Sequence, residues 1–127
     1  MGKNNSLSPL EQQVMDVVWR KAPCTADEVR LELAQERDLK ESTVRTLLRR
    51  IERKGFVRHR VQGRSYVYES VWEPQKAAAR AVREIVDRFC QGSMEALFLG
   101  MVEDQMVDGK ELAELLERVR KVEAEDD

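Results

Sequence analysis

Eight arginines and lysines (Arg45, Arg49, Arg50, Arg53, Lys54, Arg58, Arg60 and Arg64) stand between Ser42 and Arg64, with Glu52 as the only acid among them. Eight bases against one acid give this run +7, in a chain whose total charge is −2. Guanidinium groups at this density suit a polyanion, because each can make paired bonds to phosphate oxygens or to a guanine edge. The acids lie elsewhere: from Glu73 to Asp127 there are 14 of them against 8 bases. A sequence pI near 5.6 therefore conceals a concentrated basic patch. The alternatives for such a patch are a solvated face without a ligand, or a surface for an acidic protein partner.

Other chemistry is scarce. The chain has one histidine, His59, and two cysteines, Cys24 and Cys90. That is too little for a disulfide scaffold or a four-cysteine zinc site, and no nucleophile–base pair can be assembled. The expectation is a non-enzyme with no catalytic residue, no metal and no cofactor. Cys24 and Cys90 read as small hydrophobes, and His59 as a strand residue without special chemistry. At 127 residues, with 42% hydrophobic and 36% charged, the chain has room for one small domain plus an oligomerisation arm. No apolar run approaches the roughly 20 residues of a membrane span, and Met1-Gly2-Lys3-Asn4-Asn5 lacks a signal-peptide core. A cytoplasmic protein, not inserted in a membrane, is expected.

The elements that must position the basic run follow from caps and periodicity. Ser8-Pro9-Leu10-Glu11 opens a helix with a capping box and proline in the first turn; Leu10, Val14, Met15, Val18 and Trp19 form its apolar face. Ala22-Pro23-Cys24 interrupts it. Thr25-Ala26-Asp27-Glu28 repeats the box and predicts a second helix to about Glu36, with Val29, Leu31 and Leu33 inward. Ser42 is expected to cap a third helix with Val44, Leu47, Leu48 and Ile51 on one stripe, ended at Lys54-Gly55 by a left-handed glycine. Phe56–Val61 and Ser65–Val71, joined at Gln62-Gly63-Arg64, read as a β-hairpin. The result is a mainly α chain with a small β-hairpin wing: a winged helix-turn-helix domain over 1–72.

A helical arm is expected over 73–127. Its first helix runs to about Cys90, a second is capped by Ser93, and a third opens at the box Asp108-Gly109-Lys110-Glu111. Glu123 to Asp127 reads as a frayed acidic tail. An arm this short cannot close a core alone, so its apolar stripes require the first domain or a second copy of the chain. The expected dimer interface is Ala81, Ile85, Phe89, Leu97, Met101, Leu112, Leu116 and Val119.

Together these segments resemble the BlaI/MecI/CopY (penicillinase repressor) family of winged-helix regulators. The resemblance rests on Leu7-Ser8-Pro9-Leu10-Glu11, Thr25-Ala26-Asp27-Glu28-Val29, Ser42 through Arg50, Lys54-Gly55-Phe56-Val57, Tyr66-Val67-Tyr68 and Phe89 through Leu97. It implies a homodimer that binds a palindromic operator in double-stranded DNA and represses transcription. It also implies, for the resistance members, a membrane-bound sensor-protease or its effector protease as a partner, and release by cleavage in the arm. The place matching the usual Asn-Phe cleavage pair reads Leu99-Gly100-Met101-Val102, which makes Gly100 and Met101 the candidate cleavage region. The copper-responsive members carry a cysteine-rich C-terminus, and no CxC pair occurs here. Two alternatives stand beside this reading: a metal- or ligand-responsive regulator released without cleavage, and a winged-helix protein-interaction module.

Within the expected DNA-binding set, Arg45 on the first exposed turn of the third helix is the base reader. Thr43 and Thr46 lie beside it, and Ser42 marks a helix N-terminus suited to phosphate. Arg49, Arg50 and Arg53 hold phosphates, with one of them free to pair with Glu52 or another acid. Arg64 is the wing tip, flanked by Arg58 and Arg60. Tyr66 and Tyr68 are expected to pack against the helices.

Overall fold

The computed structural model describes residues 6–126; the first five residues, which carry the signal-peptide reading, and Asp127 lie outside them. The elements are α1 (Pro9–Lys21), α2 (Ala26–Leu33), α3 (Glu41–Arg53), β1 (Val57–Gln62), β2 (Ser65–Ser70), α4 (Pro74–Phe89), α5 (Met94–Glu103) and α6 (Gly109–Asp126). The chain divides into two compact units, the first ending at Ala81 and the second starting at Val82. This is the mainly helical fold with an antiparallel two-stranded wing that the sequence predicts.

Local sequence explains the element ends in the first unit. Both predicted capping boxes form: the Ser8 hydroxyl accepts from the Glu11 N–H while Glu11 accepts from the Ser8 N–H, and Thr25 and Glu28 do the same for α2. At the end of α3 the Gly55 N–H donates to the Glu52 carbonyl and the Phe56 N–H to the Ile51 carbonyl. These two bonds need a left-handed residue after the cap, and Gly55 supplies it at φ +89°. The wing turns through two residues only, since Gln62 already pairs with Ser65. Gly63, at φ +64°, holds the first turn position, where a positive φ matches the twist of the strands.

Four expectations need correction here. Ser42 does not cap α3: Lys40 is the extended N-cap residue, without a side-chain bond, and Glu41 begins the helix. An acid in that first turn complements the helix dipole, while Ser42 sits one residue further in. Helix α2 stops at Leu33, short of Glu36, and Leu31 is 57% exposed. Two residues from both Val29 and Leu33, it lies across the helix from the face they bury. Of the acidic end, Glu123 to Asp126 continue α6 and Asp127 lies outside the described residues.

The core of the first unit joins Val14, Met15 and Val18 of α1, Val29 and Leu33 of α2, and Val44, Leu48 and Ile51 of α3. Cys24 adds a short third rung to the wing: its N–H donates to the Tyr68 carbonyl at 3.1 Å and its carbonyl accepts from the Tyr68 N–H at 2.7 Å. Trp72 closes the other side. Its carbonyl accepts from the Trp19 indole at 2.9 Å, its ring meets Phe56 edge-on at 5.3 Å, and the Arg80 guanidinium lies 4.2 Å from the ring centroid. The first two turns of α4 pack in this unit, with Ala77 buried.

The second unit is built differently. Helix α4 ends where Gln91 and Gly92 both take positive φ, Ser93 caps α5 through the Ala96 N–H, and the Asp108 carboxylate accepts from the Glu111 N–H at 2.7 Å. Val86 is fully buried. No residue of α5 or α6 is buried.

One ion pair ties the ends of α1 and α3 together. The Lys54 ammonium, at the cap of α3, donates to Glu11 Oε1 at 2.6 Å and to the Ser6 carbonyl at 2.9 Å. The Glu11 side chain is 3% exposed and that of Lys54 25%. Burial pushes the Glu11 carboxyl up, but the bonds from Lys54 and from Ser8, with the Lys54 charge, outweigh it and hold the group below its ordinary value. Glu11→Gln leaves Lys54 facing a neutral group. It should lower stability at pH 7 by about 2–3 kcal/mol, less than for a fully buried pair because Lys54 is partly solvated. A carboxyl depressed by folding stabilises fully above its unfolded value, here 4.5, and loses that contribution as pH falls through the folded value. Denaturant unfolding at pH 7 and pH 3 should therefore find the gap between wild type and variant narrower in acid.

Candidate nucleic-acid interface

Helix α3 turns its buried stripe, Val44, Leu47, Leu48 and Ile51, inward. Arg45, Arg49, Arg50 and Arg53 are consequently forced outward, and all four are exposed. None of the four side chains makes a hydrogen bond or ion pair with another described residue, and neither does that of Arg64 at the wing tip. Thr43 is half-buried and Thr46 exposed. The Thr46 hydroxyl donates to the Ser42 carbonyl one turn back, at 3.0 Å, which occupies its proton but leaves its methyl and lone pairs outward.

The strand register sorts the wing into two faces. His59 stands opposite Tyr68, and Val61 opposite Tyr66, so the ring-bearing residues share one face. Arg58 and Arg60 occupy the other face, where both reach Glu69: Arg60 at 2.8 Å and Arg58 at 3.6 Å. Of the predicted phosphate-binding residues, Arg60 is thus held by an acid within the wing. The two tyrosines differ as well. Tyr68 is buried, and burial followed by the nearby Glu52 charge raises its hydroxyl above the ordinary phenol range. Tyr66 is half-exposed and stacks on the His59 ring, with centroids 4.1 Å apart and an interplanar angle of 11°.

Glu52 pairs with none of the arginines. Both its oxygens lie 2.8 Å from His59 Nδ1, so the lone acid of the basic run bonds the wing. Between α3, the start of α2 and the wing lies a cleft of about 510 Å³, lined by Arg45, Arg49, Glu52, His59, Arg64, Tyr66 and Tyr68 together with Asp27 and Glu41. Neither His59 nor Glu52 is assigned a site role by sequence reasoning. The available signal is register: His59, two residues after the inward Val57, must share its face and turn toward α3.

The remaining candidate residues are elsewhere. Gly100 and Met101 are interior to α5 and half-buried. Ala81 is the last residue of the first unit and lines an apolar groove there with Trp19, Phe56 and Ala77. Ile85, Phe89, Leu116 and Val119 are exposed to between 41% and 75%, while Leu97, Met101 and Leu112 are half-buried. Burial and the Glu28 charge push the Cys24 thiol up to about 11, so it carries no reactive thiolate near neutral pH. Among the described residues no three His, Cys, Asp or Glu side chains converge on a metal-sized site, and no helix is long and apolar enough to cross a membrane.

The sequence model of the penicillinase repressor family matches residues 7–121. The chain is 28% identical over 115 residues to a penicillinase repressor of Bacillus licheniformis, covering 91% of this chain and 90% of that one. It is 26% identical over 113 residues to the methicillin resistance regulatory protein MecI of Mammaliicoccus sciuri, covering 89% and 92%. The solution structure of the DNA binding domain of the repressor BlaI matches with a TM-score of 0.51 at 31% identity, over 58% of this chain and 90% of that one. A basic α3 and wing on this fold, with a family match over nearly the whole chain, place the protein among transcriptional repressors and not enzymes: it belongs to the penicillinase repressor family.

Proposed function

We infer that the chain is a homodimeric repressor that reads a palindromic operator through α3 and the wing. The observation that carries this is the set of arginines without partners among the described residues, Arg45, Arg49, Arg50 and Arg53 on one face of α3 and Arg64 at the wing tip. The other bases of the run, Lys54, Arg58 and Arg60, are held by Glu11 or Glu69. A cation with no internal partner keeps its full charge for a phosphate or a base edge. Arg45 is the base reader, with Thr43 and Thr46 beside it and Ser42 in the first turn of the helix. Arg49, Arg50, Arg53 and Arg64 hold phosphates, and Arg60 joins them when it leaves Glu69. The relatives named as repressors and the likeness to the BlaI domain support the same reading.

The dimer is inferred from α5 and α6, which carry apolar stripes yet contain no buried residue. Each fully buried Leu, Ile or Phe contributes roughly 1.5–3 kcal/mol, so a handful shared between two copies exceeds the cost of association. Ile85, Phe89, Leu97, Met101, Leu112, Leu116 and Val119 belong to that interface, with Ala81 at its edge. Release by proteolysis in the arm at Gly100–Met101 belongs to the same reading; because that bond is inside α5, cleavage requires the helix to unwind locally first.

Selection of bound sequences from random double-stranded DNA, at two salt concentrations, tests the reading directly. An inverted repeat should be enriched, and log affinity should fall with log salt by about 0.9 for each phosphate neutralised. Binding that ignores salt would transfer the basic face to a protein partner. On the enriched duplex, Arg45→Ala should cost about 1–3 kcal/mol, with a much smaller loss on random DNA; equal losses would make Arg45 a phosphate contact. Leu116→Asp should lower the dimer fraction in sedimentation and weaken operator binding together, and a monomer that binds the repeat as tightly as wild type would overturn the dimer.

A further inference from the structure

Glu52 is out of place for pure electrostatics: it is the one acid within a DNA-facing basic run. It faces His59, whose Nδ1 is 2.8 Å from both carboxylate oxygens. The His59 ring is in turn stacked flat on Tyr66 from the opposite strand. Beyond the buried Val57, every residue of β1 is exposed, and His59 is the only one of them whose side chain bonds to α3. We propose that Glu52, His59 and Tyr66 form a latch that fixes the wing against the recognition helix, so that Arg64 meets DNA in register with Arg45 and Arg49. His59 is a positioning residue in this scheme, not a DNA contact.

The latch rests on the DNA-binding reading and says how the wing is held for it. The His59 ring engages both carboxylate oxygens of Glu52, the acid that lines the cleft with Arg45 and Arg49. Other charged and titratable groups facing the cleft are Asp27 from α2, already held by Arg30, then Glu41, Arg45 and Arg49 from α3, and Arg64, Tyr66 and Tyr68 from the wing.

Glu52→Gln separates the latch from simple charge. Removing an acid from a basic DNA-binding face would by charge alone strengthen binding; loss of the latch should instead weaken it about three- to tenfold at pH 6 on the duplex selected from random DNA, because the wing must then be ordered on binding. His59→Phe keeps the stack but lacks the nitrogen, and should lose affinity by a similar factor. His59→Asn restores a donor near the Nδ1 position, and should recover affinity. A second measurement needs no DNA: hydrogen exchange of the wing amides should quicken in Glu52→Gln and His59→Phe while α1 stays protected. Glu52→Gln binding as tightly as wild type or tighter, with wing exchange unchanged, would overturn the latch while leaving the DNA-binding reading intact. Failure of the wild type to bind any duplex would overturn that reading, and the latch's role on DNA with it.

Discussion

The Lys54 ammonium ties the end of α3 to the start of α1. Lys54 closes α3 and reaches back to Glu11, the residue that also completes the capping box at the start of α1. One carboxylate therefore caps one helix and anchors the end of another, 43 residues away in the chain. The glycine turn that follows, with Phe56 tucked under Trp72, sends the chain out into the wing from a fixed point. The direction of α3 and the root of the wing both depend on that buried pair. Because Glu11 lies almost entirely out of water, the pair is demanding: removing one member leaves the other charge poorly solvated.

Acids within the first unit do the positioning, and this resolves the contrast between an acidic chain and a basic function. Glu11 holds Lys54, Glu52 holds His59, and Glu69 gathers Arg58 and Arg60. Each of these carboxylates fixes a base at a joint: helix to helix, helix to wing, strand to strand. Exposed pairs such as those on Glu69 are worth little in stability, so their effect is on which bases remain available. The arginines left without partners lie on the outer face of α3 and at the wing tip. The excess of acid in the C-terminal region is remote in sequence from this face.

Most of the fold was legible because its signals are local. Ser8 with Glu11 and Thr25 with Glu28 announce two helix starts, and the stripe Val44, Leu47, Leu48 and Ile51 announces the third along with its outward arginines. Gly55 and Gly63 mark turns that need positive φ. What sequence reasoning misplaced depends on geometry a few residues wide: whether Lys40 or Ser42 begins α3, and whether a helix ending at Leu33 can use Leu31. What it missed was tertiary. That Glu52 would bond His59 and not an arginine three or four residues away follows from the wing folding back on α3, and no helix-periodic pattern contains that information. Strand register could have suggested it, since a residue sharing a face with Val57 must look toward the body.

The two units differ in how they satisfy their apolar residues, and that difference bears on how repression is built. The first unit closes its own core, with Val14, Met15, Val29, Val44, Leu48 and Ile51 all fully out of water. It needs no partner to hold α3 and the wing in shape. Beyond Ala81, apolar side chains such as Phe89, Leu99, Leu115 and Val122 are half or more exposed, an amount a small soluble unit does not leave open without a surface to cover it. On the proposed reading, a first unit folded by itself and an arm satisfied by association would make operator occupancy depend on protein concentration twice, once through dimerisation and once through binding. Anything that weakens the arm would then lower operator affinity without touching α3 or the wing, because two half-sites joined by one dimer are bound far more tightly than either alone.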